Sequence, residues 1–550
     1  MSQEQRSLRK HLGVVTDGAF NSGLTVRLDA DVSTEQMRIG DFVIVEGDQN
    51  LYFSMISDMQ LRATDARLPA DPPMAASPFV TRALRGSLTY VTVEIKPMQM
   101  MPKGEEDDFL VDLEGPQPVR TIPMHLSTLA EATAGDFRLV FGDEQKGKQY
   151  FAMGTPLTMD IPVCINLERL VERSNGIFGQ SGTGKSFLVR LLLCGVIKSN
   201  VAVNLIFDMH DEYAFGKESE DGQFVRGLTQ LFGRSKVLVY SLDKDAAARG
   251  GGRSVDRTVQ IGLNQIEAED VMLLAQELNL RGTAEATIGL LEDAYKADWL
   301  FKLVTMAPNE LELFSAESGA HPASLAALQR ALKRLQRKEY IVEQGNFNLI
   351  DEMVQTLDAG KNVILHFGRH DSSLDHMLVS NLITRRVRQL YRQKVERYEQ
   401  TQDAADKPRP LMITIEEAHS FLNPSVSKQT IFGTIARELR KYHVTLMVVD
   451  QRPSSIDDEV LSQLGTRVTG KLTEERDIEA ALTGVGNRSF LRGALESLNT
   501  REQVLLMGHA VPMPVVVRTR KYDQAFYDAI MAGGNKPQSA TEAIAELFDF

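Results

Sequence analysis

Residues 176–186 read Gly-Ile-Phe-Gly-Gln-Ser-Gly-Thr-Gly-Lys-Ser, and this stretch limits the fold more than any other in the chain. Residues 179–186 match the pattern G-x-x-x-x-G-K-[ST], in which glycines let backbone N–H groups turn toward phosphates. An apolar run precedes the loop, and the helical stretch FLVRLLLCGVI follows it. A strand, a glycine loop and a helix are the context that this pattern requires, so the sequence predicts a bound nucleoside triphosphate.

Each loop residue has an expected task in such a site. Lys185 is expected to reach the β- and γ-phosphates, and the Ser186 hydroxyl to ligate Mg²⁺. A glycine turn that binds nothing is the alternative interpretation. The predicted ATP-binding residues of the loop are Gly179, Gln180, Ser181, Gly182, Thr183, Gly184, Lys185 and Ser186.

Composition sets limits on the environment and the partners. The formal net charge is -13, which argues against a surface coated in positive charge. It leaves nucleic acid open, because a ring can concentrate a few cations in its pore. The two cysteines, Cys164 and Cys194, are too few for a disulfide framework or a four-thiolate zinc site. With no apolar signal region at the start and no predicted membrane span, we expect a cytoplasmic protein.

The pattern along the chain indicates a barrel followed by an α/β domain. Short strands between residues 10 and 60 recur about every ten residues, which suits a small barrel or sandwich. Further on, strands alternate with helical patterns, as in a mostly parallel sheet. The predicted parts are a barrel at 1–110, a connector at 111–160, an ATPase core at 161–263 and 346–520, a helical insertion at 264–345, and a tail with a helix at 521–550.

A pair of carboxylates follows the apolar strand at residues 411–415. In P-loop ATPases the first such carboxylate holds the Mg²⁺ shell and the second polarises the attacking water. Glu416 and Glu417 are therefore the predicted metal and catalytic carboxylates, with Glu416 in a position where Asp is usual. An acidic pair that only complements a helix dipole is the alternative.

The segment LIFDMHDEYAF carries a further acid at a strand end. Asp208 ends a buried strand, and ligands of open α/β sheets bind at the carboxyl ends of the strands. We therefore predict Asp208 in the nucleotide site. His210 lies two residues on, and a hydrogen-bonded structural histidine is the favoured interpretation for it.

Arginines and a glutamine follow near residues 437–467. A motor in a ring needs an arginine from one subunit at the γ-phosphate of its neighbour, because charge accumulates there in the transition state. Arg437 and Arg440 lie on one predicted helix, Arg467 is a third candidate, and solvated positions are the alternative. Gln451 ends the next buried strand and is the predicted polar sensor beside the γ-phosphate.

Taken in order, these motifs resemble the HerA family of hexameric DNA-translocating ATPases, in the FtsK/HerA branch of P-loop motors. The resemblance runs from about residue 10 to about residue 520, and its most specific parts are the Asp-x-His-x-Glu-Tyr segment and the QRP after the sensor strand. It implies an α/β, RecA-like P-loop core with a helical insertion and an N-terminal small β-barrel, the HAS barrel.

The resemblance also implies site residues. Glu417 would be the catalytic carboxylate, Gln451 the sensor, and Arg437 or Arg440 the arginine that acts in trans. Asp208 would be a nucleotide-site acid, and Arg173 matches a basic position that the family places near the nucleotide. Glu416 for the common Asp and Asp211 for a frequent Gly are departures, but neither removes a ligand.

These predictions lead to a functional hypothesis with ATP and Mg²⁺ as cofactors. The chain is expected to be an ATP-dependent DNA translocase or helicase that works as a homohexamer on double-stranded DNA in the pore. Its expected partner is a NurA-like nuclease or another effector on the barrel face, in DNA end processing or anti-phage defence. A ring scaffold that activates a partner without moving DNA, and a pump at a membrane gate, are the alternatives.

The expected DNA contacts lie in two polar loops. Residues 215–227 contain Lys217 and residues 423–430 contain Lys428, and an ordinary surface loop is the alternative for each. The basic stretches RRVRQLYRQKVER and QRALKRLQRKEY are better explained as solvated faces of amphipathic helices.

Overall fold

The computed structural model describes residues 9–65, 88–103, 115–157, 159–218, 222, 224–246, 255–280, 282–345, 348–427, 430–486, 488–499 and 502–532. Lys428, one of the two predicted DNA contacts, lies outside these ranges. The chain divides into two compact units. One consists of Met1–Asn166 and Val485–Arg520, and the other of Leu167–Gly484 and Lys521–Phe550.

Strands of the first unit close into a barrel. Along the described residues the order is β2-β1-β7-β3-β4-β5, β5 pairs back with β2, and β6 extends the edge of β5. All of these pairings are antiparallel. The strands are β1 His11–Ala19, β2 Gly23–Leu28, β3 Phe42–Glu46, β4 Asn50–Ala63, β5 Thr89–Pro102, β6 Gln117–Pro118 and β7 Thr128–Glu131.

The barrel forms because its strands alternate apolar and polar residues. Leu24, Val26 and Leu28 of β2 are buried, and they join a core that includes Val45 of β3 and Leu129 of β7. A period of two places every second side chain on the same face, here the inside. β7 belongs to the barrel although it lies beyond residue 110, the predicted end of the barrel. The sequence does not reveal this, because a strand of four residues carries too little pattern to show which sheet it joins.

The first unit also contains a smaller antiparallel sheet in the order β22-β23-β8-β9. Residues 485–520 lie in this unit, whereas the sequence pattern alone had grouped them with the second part of the core. Within this sheet β22 pairs with β23, and β23 pairs with β8 from before residue 167, a long-range pairing that local pattern does not encode. The elements are β8 Tyr150–Pro156, β9 Val163–Asn166, β22 Gln503–Gly508, β23 Val515–Thr519, α1 Ala134–Phe141 and α16 Arg488–Ser497.

The second unit is built on a parallel sheet. Its strand order over the described residues is β15-β14-β18-β11-β19-β20-β10-β21. Every residue of β10, β11, β18, β19, β20 and β21 is buried, as expected where helices cover both faces of a sheet. The strands are β10 Asn175–Phe178, β11 Val203–Asp208, β14 Val237–Ser241, β15 Arg257–Thr258, β18 Asn362–His366, β19 Leu411–Ile415, β20 Val444–Asp450 and β21 Thr466–Thr469.

Two short two-stranded pairings complete the strands of this unit. β12 Lys217–Glu218 and β13 Phe224–Val225 form an antiparallel hairpin. β16 Ile261–Gly262 and β17 Ile341–Val342 are parallel; β16 precedes the region predicted as a helical insertion, and β17 lies within the last residues of that region.

Helices of the second unit connect and cover these strands. Within the described ranges, no helix is both long and apolar enough to cross a lipid bilayer. The helices are α2 Leu167–Val171, α3 Lys185–Ser199, α4 Leu228–Lys236, α5 Ala268–Leu273, α6 Ala284–Tyr295, α7 Trp299–Thr305, α8 Pro308–Ser318, α9 Pro322–Gln336, α10 Asn348–Asp358, α11 Ser373–Thr401, α12 His419–Leu422, α13 Ile431–Glu438, α14 Asp458–Gln463, α15 Glu475–Ala481 and α17 Gln524–Met531.

Candidate nucleotide and catalytic site

The glycine loop joins the end of β10 to the start of α3. Gly182 and Gly184 have φ angles of 78° and 85°, a left-handed backbone that favours glycine. The Thr183 hydroxyl donates to the Gln180 carbonyl at 2.7 Å and tightens the turn. Lys185 and Ser186 form the first turn of α3, where backbone N–H groups are free to meet phosphates. The loop therefore has the form that the sequence predicts.

Lys185 lies inside this loop. Its Nζ donates to the carbonyls of Gly179 at 2.7 Å and Gln180 at 3.2 Å. Burial lowers the pKa of the Lys185 amine, and the acids around it, Glu417 first among them, oppose that change. The Lys185 amine is thus surrounded by acidic side chains, and it lies where the phosphates of a nucleotide would follow the loop.

Strand order brings the catalytic candidates to the loop. β20 pairs with β10 on one side and with β19 on the other, and Phe178 of β10 is opposite Asp450 of β20. Because parallel strands end at one edge of the sheet, the residues after β20 lie between the phosphate loop and the carboxylates that follow β19. The sheet thereby assembles one site from three segments that are far apart in sequence.

Glu416 is a buried carboxylate at the end of β19. Its side chain is 6% exposed, and its Oε1 accepts a hydrogen bond of 2.5 Å from the Tyr213 hydroxyl. Burial raises the pKa of Glu416 well above its usual value, and repulsion from Glu212 adds to the rise. Its Oε2 is buried and has no hydrogen-bond partner among the described residues.

Glu417 stands in a different environment. Its φ angle is 44°, a left-handed conformation that costs a side-chain-bearing residue free energy and is concentrated at functional sites. Its Oε1 accepts a 3.2 Å hydrogen bond from Gln451 Nε2, and its side chain is only partly buried. A carboxylate that is oriented by a neighbour and open to water suits a residue that polarises an attacking water.

Asp450 and His419 form a pair that the sequence motifs do not predict. The buried Asp450 accepts hydrogen bonds from the His419 backbone at 2.7 Å and from its Nδ1 at 3.0 Å. The hydrogen bond to Asp450 raises the pKa of His419, whose Nδ1 also lies 3.5 Å from Glu417 Oε2. The signal was present in the sequence, since Asp450 ends a buried strand just as Asp208 does.

Asp208 organises a loop rather than presenting a free carboxylate. Its two oxygens accept the backbone N–H groups of Glu212 at 2.7 Å, Tyr213 at 3.0 Å and Ala214 at 2.9 Å. Arg190 of α3 donates to the Glu212 carbonyl from the other side. Asp208 thus lies at the predicted edge of the sheet. It is linked to Glu416 indirectly, because Tyr213 donates its backbone N–H to Asp208 and its hydroxyl to Glu416.

The arginine candidates occupy distinct environments. Arg437 donates to the Ser427 carbonyl at 3.0 Å, and its guanidinium lies 3.8 Å from Glu459. Arg440 lies in the turn after α13, and its side chain is outside the described part. Arg467 is 2% exposed and donates to the carbonyls of Ala481 and Leu461, so it is a buried structural residue of its own chain.

Arg173 is placed away from the phosphate loop. It is exposed, precedes the amino end of β10, and packs against Gly465, where a Cβ would lie 2.6 Å from the Arg173 Cβ. The phosphate loop follows the carboxyl end of the same strand. An extended chain from Arg173 to the start of the loop at Gly179 is about 20 Å long. Arg173 therefore lies apart from the phosphate loop of its own chain, because a strand separates the two.

Lys217, the one predicted DNA-contacting cation among the described residues, is near an acid of its own chain. Lys217 of β12 lies 3.8 Å from Glu212 and keeps a partly exposed side chain. The basic face of α11 is paired with acids of its own unit, and it ranges from the mostly buried Arg385 to the exposed Arg397, so only part of it is a solvated helix face. These pairs are Arg385 with Glu267 and Asp270, Arg386 with Asp351, Arg392 with Glu396, Lys394 with Asp358, and Arg397 with Asp406.

The residues present fit a magnesium ion. Mg²⁺ prefers oxygen ligands, and the Ser186 hydroxyl and the unpartnered, buried Oε2 of Glu416 supply two of them. Glu417, His419 and Asp450 also place three ligand atoms within 4.8 Å of one another among the described residues. An imidazole in that second group suits Mg²⁺ less, so Ser186 and Glu416 remain the better candidates.

A phosphate loop after one parallel strand, with paired carboxylates after a strand two places away, defines a P-loop nucleotide hydrolase with a RecA-like core. Comparison with known families agrees. The family model described as "Helicase HerA, central domain" matches residues 151–387, and the one described as "Helicase HerA-like C-terminal" matches residues 282–503.

Individual relatives carry the same name. The "DNA double-strand break repair helicase HerA" of Sulfolobus acidocaldarius is 23% identical over 521 residues, which are 92% of this chain and 94% of the relative. The protein of that name from Pyrococcus furiosus is 22% identical over 401 residues, 69% of this chain and 71% of the relative. Among solved structures, VirB4 of Thermoanaerobacter pseudethanolicus is similar with a TM-score of 0.43 and 14% identity, over 68% of this chain and 96% of that one. The chain belongs to the HerA family of P-loop ATPases, and it is an ATP hydrolase.

Proposed function

We propose that this chain is a motor that uses ATP hydrolysis to move along double-stranded DNA. The observation that carries the proposal is the hydrogen bond between Gln451 and Glu417, which would link the proposed polar sensor to the proposed catalytic carboxylate beside the phosphate loop. The names of the family relatives, DNA double-strand break repair helicases, supply the substrate class.

In the proposed reaction each residue has a chemical task. Lys185 exchanges its loop carbonyls for the β- and γ-phosphate oxygens, and the N–H groups at the start of α3 hold the same phosphates. Glu417 orients the water that attacks the γ-phosphate, and Gln451 holds Glu417 in place. Mg²⁺ neutralises phosphate charge when it is bound, with Ser186 and Glu416 as the residues that would hold it.

We further propose that the working form is a homohexamer with each nucleotide at a seam between subunits. Arg437 or Arg440 would then approach the γ-phosphate held by the adjacent subunit and stabilise charge in the transition state. Arg467 is excluded from this task because its guanidinium is buried against carbonyls of its own chain. Hydrolysis at a seam would move one subunit against the next.

The DNA contact is proposed to be independent of sequence and carried by few cations. The net charge of -13 and the internally paired face of α11 leave Lys217 of the β12–β13 hairpin and Lys428 as the candidates. Contacts of this kind are made to phosphates and release counterions, so DNA affinity should fall as salt rises.

A nuclease or another effector enzyme is the proposed partner, bound at the barrel. One barrel segment supports this, because Ile122, Met124 and Leu126 are all exposed large apolar side chains. Leu126 has a φ angle of 68°, an unfavourable conformation for a bulky residue. Clustered exposed apolar groups are typical of surfaces that bind another protein. DNA end processing and anti-phage defence both fit such a partner.

A triplex-displacement assay with purified protein, alone and with its partner, tests the motor directly. The wild-type protein should displace a third strand from duplex DNA when ATP is present, whereas Lys185→Ala and Glu417→Gln should not. ATP turnover without displacement, under conditions where DNA is bound, would contradict translocation and favour the ring scaffold.

A further inference from the structure

A tyrosine from the segment after β11 reaches the carboxylate that follows β19. The Tyr213 hydroxyl donates to Glu416 Oε1 at 2.5 Å, and the Tyr213 side chain is fully buried. The same carboxylate keeps Oε2 buried and without a hydrogen-bond partner among the described residues. One oxygen of Glu416 is therefore held, and the other is left for a ligand.

Tyr213 is itself fixed by several independent contacts. Its N–H donates to Asp208 at 3.0 Å, and its carbonyl accepts the Leu228 N–H at 2.9 Å. The preceding carbonyl, of Glu212, accepts Arg190 from the helix that begins at the phosphate loop. Because the backbone N–H and carbonyl of Tyr213 are both hydrogen-bonded, its hydroxyl can hold the Glu416 side chain in one position.

Glu416 needs such an anchor more than a shorter acid would. A glutamate has one more rotatable bond than an aspartate, and ordering that bond costs conformational entropy. A hydrogen bond from a neutral hydroxyl to a carboxylate is short and strong, and it fixes the orientation without adding charge.

We propose that Tyr213 is a positioning residue that holds Glu416 so that its Oε2 faces the Mg²⁺ bound with the nucleotide. The inference rests on the proposed placement of Glu416 in the Mg²⁺ shell, and it adds the residue that makes a glutamate usable at this position. Tyr213 touches neither the nucleotide nor the metal in this role.

The test measures ADP affinity by titration calorimetry, once with excess Mg²⁺ and once with EDTA. Tyr213→Phe keeps the ring and removes the hydroxyl. It should weaken ADP binding in Mg²⁺ by about three- to tenfold and leave binding in EDTA unchanged. Tyr391→Phe is the matched control, because Tyr391 is also buried and its hydroxyl has no hydrogen-bond partner among the described residues. The control should bind as the wild type does in both buffers.

A double-mutant cycle separates positioning from a general effect on the fold. If Tyr213 acts only through Glu416, adding Tyr213→Phe to Glu416→Gln should cause no further loss of affinity in Mg²⁺. A Tyr213→Phe protein with the wild-type response to Mg²⁺, or with an equal loss in EDTA, overturns the proposal. An unchanged response to Mg²⁺ in Glu416→Gln alone would instead refute the metal assignment on which it rests.

Discussion

Gln451 Nε2 and Glu417 Oε1 are 3.2 Å apart, and the hydrogen bond between them joins the ends of adjacent strands, β20 and β19. Glu417 adopts a left-handed backbone at this point, with φ of 44°. The Gln451 amide therefore orients the carboxylate of a residue whose backbone is held in an unfavourable conformation, as is common at functional sites. Residues arranged in this way should act as one unit.

This unit makes a prediction about combined substitutions. Glu417→Gln should lower ATP turnover by roughly 10²- to 10⁴-fold, the usual worth of a positioned base, and leave nucleotide binding intact. Gln451→Ala should cost less, and the double variant should be no slower than Glu417→Gln alone, because residues that act together are not additive. Steady-state turnover and binding of a fluorescent nucleotide measure both effects. Full turnover in Glu417→Gln would refute its assignment as the catalytic carboxylate.

Lys185 should be required for nucleotide binding itself. Lys185→Ala removes the cation that lies inside the loop, so affinity for ATP and ADP should fall by at least about tenfold, the effect of losing a hydrogen bond to a charged group. Lys198 is a matched control at the other end of the same helix, where its Nζ donates to the Ala529 carbonyl. Lys198→Ala should bind nucleotide as the wild type does. Equal losses in the two variants would show that Lys185 acts only through the fold.

The parts of the site that sequence could predict are those encoded locally. The glycine loop at 179–186 and the apolar strand before Glu416 each carry their signal within about ten residues, and the family resemblance then assigned their roles. The parallel core and the small barrel were predicted for the same reason, since alternation and buried runs are read along one segment.

The rest depends on which segments become neighbours. The contact between Asp450 and His419 arises only because β20 lies beside β19, and Tyr213 reaches Glu416 from a strand on the other side of β19. Arg173 precedes the loop by few residues, yet a strand intervenes and carries it to the opposite edge. Distance along the sequence is a poor guide wherever a strand separates two residues.

Arg437 and Arg440 can be distinguished by mixing defective subunits. Lys185→Ala is expected to bind nucleotide poorly but keeps its arginines, whereas Arg437→Ala keeps the nucleotide site and lacks the arginine. If Arg437 acts in trans, co-expressed mixtures should regain part of the ATP turnover at seams that combine one good site with one good arginine. The same mixture with Arg440→Ala tests the second candidate.

The control for this experiment is a mixture of Lys185→Ala with Glu417→Gln. Both defects lie in the same half of the proposed seam, so no combination restores a complete site and turnover should stay at the level of the single variants. Failure of both arginine mixtures to regain activity would rule out a trans role for either residue.

Asp208 should stabilise the segment that carries Tyr213. Asp208→Asn replaces one of two accepting oxygens with an N–H donor that faces backbone N–H groups, so at least one hydrogen bond is lost. Leaving a buried donor unpaired costs about 1–3 kcal/mol, and hydrogen exchange at residues 212–214 should accelerate accordingly. Asp245→Asn, which changes an acid paired with Arg369 on the surface, should leave exchange there unchanged. Unaltered protection in Asp208→Asn would show that its carboxylate does not hold the loop.

His376 gives the fold a predictable dependence on pH. Burial lowers the pKa of His376 to about 4, and repulsion from His210 is the second cause. The His376 ring packs edge-on against Phe367, with the two ring centroids 4.9 Å apart. The unfolded chain has an ordinary histidine pKa of about 6.5, so between the two values the unfolded state binds the proton and the folded state does not. Stability therefore falls as pH drops from about 6.5 toward 4, and the group has no such effect above that window.

Replacing His376 by phenylalanine, which keeps an aromatic ring against Phe367, should remove this loss. Between pH 7 and pH 5 the free energy of unfolding of the wild type should fall by about 2 kcal/mol more than that of His376→Phe, and denaturant titration at the two pH values measures the difference. The exposed His125 supplies the control, because His125→Gln should follow the wild type at both pH values. Parallel behaviour of the wild type and His376→Phe across this range would mean that His376 takes up its proton as readily in the folded protein as in the unfolded chain, contrary to its burial.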